Sequence, residues 1–474
     1  MMARALYFSA TLVALAALVA PALHAQTPLV QTAPVQASTT VRVTAPPAAA
    51  LSLTQALDKA RQFEARFLAA QASFRADREV LPQAQALLRP EVNFSYSRNT
   101  NQLNSRFGSQ PAQDLDYFSG STALNIRQPV YRPEYFARLR QARTEVTRLE
   151  SVLVSERNRL SVDVAGAYLE LLRTHAEWRS LQAQEGFLKT QAAASQRGLP
   201  LGLTSQNERD DRASRYNLAR LRALQMQGRL IEAQRRLEGM VGEPVTLLLS
   251  PHNAAIEASS LLSLGLPQLL ERTQSRSPEI RAAVAAVEVA REGISRAQAG
   301  HKPTLDLVGG RSKSTSESFN SVNNVYLNTF VGVQLSVPIY SGGRHDSAVR
   351  QAVAQHERAQ AQLDGLRREA SLLVEREYLT LGLAAQRLQA FEDLLRVAGQ
   401  NQQSAQAGFT RGTNSQVDVM EATAQLESAR YERIAARLDL LIAHVRLQSQ
   451  GDELGDETVA RLEQMLTTPV SLLP

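Results

Sequence analysis

The chain has 474 residues, 44% of them apolar and 5% aromatic, and a net charge of +6 from 52 Lys and Arg against 46 Asp and Glu. That apolar share is lean for one large compact core and favours an elongated architecture of two or three domains. Arginines interleaved with acids, as in "RRLEGM" and "LRREASLLVEREY", read as solvated helix faces rather than a nucleic-acid stripe, and the lack of cysteine excludes disulfides, thiolate metal sites and an acylated N-terminal cysteine.

Residues 1–25 carry Arg4, an apolar stretch from Ala5 to Val19, Pro21 and the small Ala25, the build of a secretory signal peptide cut after Ala25. As an uncleaved anchor, the stretch is shorter than the ~20 residues a spanning helix needs. Residues 26–50 are rich in Pro, Ala, Thr and Gln without helical or strand period, which predicts a disordered leader. No later apolar run reaches spanning length, so bilayer contact would have to use something other than a helix.

Four segments then alternate apolar and polar residues with period two, the pattern of strands. Strands are predicted at about 91–101 (Val92, Phe94 and Tyr96 against Asn93, Ser95 and Ser97) and 115–128 (Phe118, Thr122, Leu124 and Ile126 against Ser119, Ser121 and Asn125). Two more are predicted at 304–314 (Leu305 and Leu307 against Thr304 and Asp306) and 325–337 (Val331, Val333, Leu335 and Val337 against Asn328, Gln334 and Ser336). They form two hairpins with long polar loops. One apolar and one polar face suit either an outer-membrane barrel wall or a soluble sandwich. An open sheet edge is not tolerated in lipid and the smallest membrane barrels have about eight strands, so the membrane reading requires several chains to share one wall.

Each hairpin ends at Pro-x-Tyr (Pro129 and Tyr131, Pro338 and Tyr340) and leads into a long helical hairpin, about 134–240 turning near 198–205, and about 344–448 turning near 408–415. From Val349 through Ala352, His356, Ala359, Leu363, Leu366, Ala370 and Leu373 the apolar positions step as a coiled-coil seam; a longer step then leads to Tyr378, Leu381, Ala385 and Leu388. The return helix steps likewise through Tyr431, Ile434, Leu438, Leu441 and Val445. At the turns, "GLPLGLTSQNERDDRA" sets Gly198 and Gly202 where "GFTRGTNSQVDVMEAT" has Gly408 and Gly412, an offset of 210 that also relates Tyr168 to Tyr378. Glycine frees a reversing helix end from the Cβ penalty, and Asn414 or Ser415 can cap the returning helix. The common spacing predicts an internal two-fold repeat over 51–250 and 251–450, followed by a C-terminal tail over 451–474.

Chemistry-bearing motifs are missing. The histidines form no HExxH or other metal spacing, "GGRSKST" lacks the phosphate-loop pattern, and there is no nucleophile elbow, so no catalytic, metal or cofactor site and no enzyme is expected. Asp418 and Glu421 lie three apart on one helix face just past the second turn. They are either first-turn acids complementing the helix dipole or, repeated around a narrow mouth, a negative focus that favours cations. A periplasmic adaptor would show one helical hairpin between β-rich halves, and a coiled-coil envelope scaffold without a pore would leave the strands unexplained.

Together these features resemble the TolC family of outer-membrane efflux ducts over essentially the whole chain after the leader. The most specific stretch, "GFTRGTNSQVDVMEATAQLESARY" (408–431), is similar to the family's second periplasmic turn. The resemblance implies a mainly α fold with a β-barrel portion, in which a homotrimer joins four strands per chain into a twelve-stranded transmembrane barrel above an α-helical tunnel. It implies an exit duct for efflux or type I secretion in the outer membrane of a Gram-negative bacterium, reaching into the periplasm. Its partners would be outer-membrane lipid, a periplasmic adaptor protein and an inner-membrane pump, without nucleic acid. By the same resemblance Phe409, Asn414, Asp418 and Glu421, with Glu208 of the first turn, would form the periplasmic gate, although Phe409 lacks a hydroxyl and Asn414 the charge usual there. Gly202, Leu203, Gly412 and Thr413 would meet the adaptor. The cargo is left open.

Overall fold

The computed structural model describes residues 50–106, 108–109, 111–251, 264–316, 322–451 and 454–472. The expected signal peptide, the leader up to residue 49 and parts of both hairpin loops lie outside these residues.

Ser52 opens α1 (Leu53–Phe63) with a capping box: its hydroxyl accepts from the Gln55 N–H, and the Gln55 side chain accepts from the Ser52 N–H. Two further short helices follow, α2 (Ala65–Asp77) and α3 (Val80–Ala86), then strands β1 (Glu91–Ser105) and β2 (Gln113–Tyr131). Both strands run past the alternating stretch, because polar side chains continue to pair across the ladder: Asn101 Nδ2 donates to Ser119 Oγ at 2.9 Å and Asn104 Nδ2 to Asp114 Oδ1 at 2.6 Å.

Pro133, at the position where its missing N–H costs nothing, begins α4 (Pro133–Gly198), whose 66 residues extend roughly 99 Å. A short 3₁₀ turn over Leu199–Leu201 leads into α5 (Gln206–Val241). Gly242, at φ +81°, stops α5 ahead of β3 (Leu247–Pro251). The second half comprises α6 (Leu266–Arg276), α7 (Pro278–Ala299), β4 (Thr304–Thr315), β5 (Val325–Ser336), α8 (Arg344–Thr410) and α9 (Gln416–Gly451).

Beyond α9, residues expected only as a tail fold into α10 (Asp456–Gln464) and β6 (Leu466–Ser471). β6 pairs antiparallel with β3, and Leu51 bridges β3 in parallel through Leu248. These strands are short and distant in sequence, so no local period announces them.

The return helices α5 and α9 have 36 residues each, against 66 in α4 and 67 in α8. The strand-proximal part of α4 is covered instead by α2, α3 and α7, and α7 packs on α8 as well. The core gathers where the return helices end, around Leu53, Tyr168, Leu237, Leu248, Leu381 and Leu438. Below the predicted seam of α8 the buried line runs through Val374, Glu377, Leu381, Ala384 and Leu388, so Tyr378 and Ala385 flank the contact rather than centre it. Glu377 takes a place on this line although a charged residue does not register in an apolar period. In α9 nearly every side chain from Ala435 to Leu441 is buried, including Arg437, which reaches Glu392 at 3.1 Å.

Tyr168 ties this core to the small sheet: its hydroxyl accepts from Leu249 N–H at 2.8 Å and donates to the Leu51 carbonyl at 2.9 Å. Burial pushes its phenol well above the usual tyrosine range. Tyr168→Phe leaves the half-buried Leu249 N–H without this acceptor, and thermal unfolding should report a loss of about 1–3 kcal/mol.

Candidate functional site

The four long strands form one antiparallel sheet in the order β1-β2-β4-β5. Directly paired residues share a face. Val92 pairs with Ile126 and Phe94 with Leu124; Leu307 pairs with Val333 and Leu305 with Leu335. This apolar face is open to the surroundings, with Val331 81% exposed. The opposite face carries Asn93, Ser95 and Ser97 on β1, Asn125 and Ser121 on β2, Ser312 and Ser314 on β4, and Asn328 and Gln334 on β5. Such a sheet has one side for hydrocarbon and one for water.

Where sheet meets helix, Asp306 of β4 is almost wholly buried and lies between two guanidiniums of the first half of the chain. Arg127 of β2 donates from Nε at 3.0 Å and from Nη2 at 2.5 Å to Oδ2; Arg132, at the start of α4, donates from Nε at 2.7 Å to Oδ1 and from Nη2 to Oδ2. Arg132 also donates to the Tyr135 hydroxyl at 3.1 Å. One carboxylate therefore locks β4 to the point where β2 becomes α4. Asp306 is legible in the sequence only as the polar half of a weak alternation.

The two helix turns are built alike. Gly202 has φ +71° and Gly412 φ +77°, the left-handed conformation in which a Cβ is strained. Gly198 and Gly408 serve a different purpose: both are ordinary in backbone angle but closely covered. A Cβ on Gly198 would lie 2.7 Å from Thr204 Oγ1, and one on Gly408 2.6 Å from Asn414 Cγ. The glycine pairs thus answer two needs, one of dihedral angle and one of space. Thr204 and Asn414 keep the 210-residue offset and could have been paired by inspection.

The freed carbonyls are satisfied locally. Leu203 N–H donates to the Gly198 carbonyl at 3.0 Å; Thr413 N–H donates to that of Gly408 at 2.9 Å, as does its hydroxyl at 3.0 Å. Of the two cap candidates, Ser415 caps α9, as Ser205 caps α5, while Asn414 lies over Gly408.

The expected gate residues divide by role. Asp418 completes a reciprocal cap: its carboxylate accepts from Ser415 N–H at 2.7 Å and from the Ser415 hydroxyl at 2.9 Å, and its own N–H donates to Ser415 Oγ at 3.3 Å. The Ser415 backbone N–H, then its hydroxyl, hold the Asp418 carboxyl below the usual carboxylate range. Glu421 is exposed and accepts from the Gln425 amide at 3.4 Å. Glu208 pairs with Arg212 on its own helix. Phe409 is 45% exposed and Leu203, beside Gly202, 77% exposed. Glu208 is bonded within the first turn and Asp418 within the second, and among the described residues no hydrogen bond or ion pair links Glu208 to Asn414, Asp418 or Glu421.

Gly408→Ala should loosen the second turn, and Asn414→Ala in the same chain should restore part of the loss by clearing the space. Gly412→Ala should cost about 1–2 kcal/mol without such rescue, since its penalty is torsional. Hydrogen exchange over residues 405–420 distinguishes the two.

The family described as Outer membrane efflux protein matches residues 269–450. The chain is 28% identical over 405 residues to the alkaline protease secretion protein AprF of Pseudomonas aeruginosa, covering 84% of each chain. It is 24% identical over 411 residues to the outer membrane protein TolC of Vibrio cholerae, covering 86% of this chain and 92% of that one. The fold is shared with the crystal structure of the outer membrane protein VceC from Vibrio cholerae, at TM-score 0.65 and 19% identity over 85% of this chain and 97% of that one. The open four-stranded sheet on long helical hairpins agrees with these likenesses: over residues 269–450 the chain matches the outer membrane efflux protein family, and it shares the fold of the VceC outer membrane protein.

Proposed function

We propose that the chain is the outer-membrane exit duct of a tripartite efflux or type I secretion system, conducting cargo passively from a periplasmic adaptor and an inner-membrane pump. The observation that carries this reading is the sheet: one apolar exposed face, one polar face, and two edges, β1 and β5, that are unpaired among the described residues. Backbone groups on those edges cannot face lipid, so β5 of one copy must meet β1 of the next. Three copies give a twelve-stranded closed wall whose polar faces enclose water. The helices supply matching material, since α5 exposes Leu218, Leu221, Leu224 and Ile231, and α8 exposes Leu372, Leu379 and Leu383. These stripes pack between protomers in the proposed trimer. The names of AprF and of the Dickeya chrysanthemi proteases secretion protein PrtF, 26% identical over 422 residues, lend weight to protein secretion as the task.

The duct narrows at the helix turns, with Asp418 and Glu421 of three copies facing the mouth and Phe409, Asn414 and Glu208 around it. Asp418 combines this role with capping α9, whereas Glu421 is free to face ions. Gly202-Leu203 and Gly412-Thr413 form the tips that meet the adaptor.

Two measurements test this. The mature protein should be extracted by detergent from the outer membrane as a trimer that conducts in planar bilayers, and Leu379→Glu should abolish trimer formation; a stable soluble monomer would refute the duct. In bilayers, Glu421→Gln should reduce cation preference and divalent-cation block, and unchanged selectivity in the Asp418→Asn/Glu421→Gln pair would remove the gate assignment.

The cap has its own pH signature. Because the folded carboxyl of Asp418 titrates below its unfolded value, its stabilisation is present above the ordinary aspartate pKa and is lost as pH falls through the lowered one. Exchange protection of the first turn of α9 should persist through mildly acidic pH and fail only below it, and Asp418→Asn should remove that dependence.

A further inference from the structure

On the reading of the sheet as a membrane wall, its lipid-facing side carries an anomaly. Arg98 of β1 and Arg311 and Lys313 of β4 belong to the apolar face: Lys313 pairs with Leu327 and with Thr122, Arg311 with Leu124 and Thr329, and Arg98 with Gly120. All three are exposed. The Arg98 guanidinium lies 5.5 Å from the ring centre of Phe118, on the same face. A cation facing lipid costs about 2–4 kcal/mol at the midplane and about 0–1 near the interface.

The cations are not scattered. On β5 the outward apolar residues run from Val325 at the loop end to Leu335 at the helix end. That is roughly 33 Å along the strand and, at the usual tilt, about 24 Å of membrane. Arg311 and Lys313 stand in the half next to the hairpin loops; among the described residues the half next to the helices has no charge on this face. The acids of the same face, Asp114 and Asp116, lie on the part of the first hairpin that extends beyond β4 and β5. Long basic side chains so placed extend their charges towards the outer leaflet headgroups while their stems remain in hydrocarbon.

We propose that Arg98, Arg311 and Lys313 form a binding surface for the phosphate groups of an anionic lipid of the outer leaflet, held where β1, β2 and β4 run side by side. Arg311 and Lys313, two apart on one strand, present their charges about 7 Å from each other along β4. Gly120, between Arg98 and Thr315, leaves the space across β2 open. Phosphate supplies the counter-charge that hydrocarbon lacks, and Arg98 closes the site from β1.

The test uses the full trimer in phosphatidylcholine vesicles doped with a bis-phosphorylated glycolipid, with its dephosphorylated form, or with neither, and counts retained glycolipid by native mass spectrometry. The wild-type trimer should retain the phosphorylated lipid, and Arg311→Gln/Lys313→Gln should lower retention roughly ten- to thirty-fold, at about 1 kcal/mol per basic residue. Arg311→Leu/Lys313→Leu, which makes the wall more apolar, should insert at least as well and lose the lipid equally. Equal retention of the two glycolipids, unchanged retention in both variants, or displacement of the lipid by millimolar inorganic phosphate would overturn the proposal. If the wild type fails to insert as a trimer, the duct reading fails first, a distinguishable result.

Discussion

A sheet cannot end in lipid. The chain builds four strands with an apolar side and a polar side, and among the described residues the outer edges of β1 and β5 have no partner strand. Each unsatisfied N–H or C=O in hydrocarbon costs several kcal/mol, and in the proposed duct further copies of the same sheet close those edges. Helices α4 and α8 follow directly from the two strand hairpins, and Asp306 ties β4 to β2 and to the start of α4 by holding Arg127 and Arg132.

The helical part solves a second problem, reversal at the far end of a helix of roughly 100 Å. Each turn combines one glycine in a left-handed conformation with another that gives up its side chain to a neighbour, Thr204 or Asn414. A serine cap then restarts the chain. Since these groups are satisfied inside each turn, Leu203 and Phe409 remain exposed. Asp418 at the same place complements the positive end of α9 and completes its cap.

Much of this was legible along the chain, because the strands and long helices are periodic and periods survive without context. Val325 to Leu335 alternate regardless of what pairs with them, and the glycine turns announce themselves by interrupting a helix twice at one spacing. Less legible was anything that depends on partners far away in sequence. Glu377 and Arg437 are buried although charged, and only the packing of α8 and α9 places Glu392 near the arginine. The tail looked featureless because β6 exists only through β3, more than 200 residues earlier.

By itself the sequence determined the four long strands and the two long helical hairpins, which face of each strand is apolar, and the sites of reversal; these follow from side-chain periodicity and backbone dihedral preference, which act between near neighbours. The tertiary structure alone decided the strand order β1-β2-β4-β5, the bond from Asp306 to the first half of the chain, the choice of Ser415 over Asn414 as cap, and the alignment of three cations on one face. Those depend on register and on which remote groups approach within hydrogen-bonding distance. Such distances are set by packing.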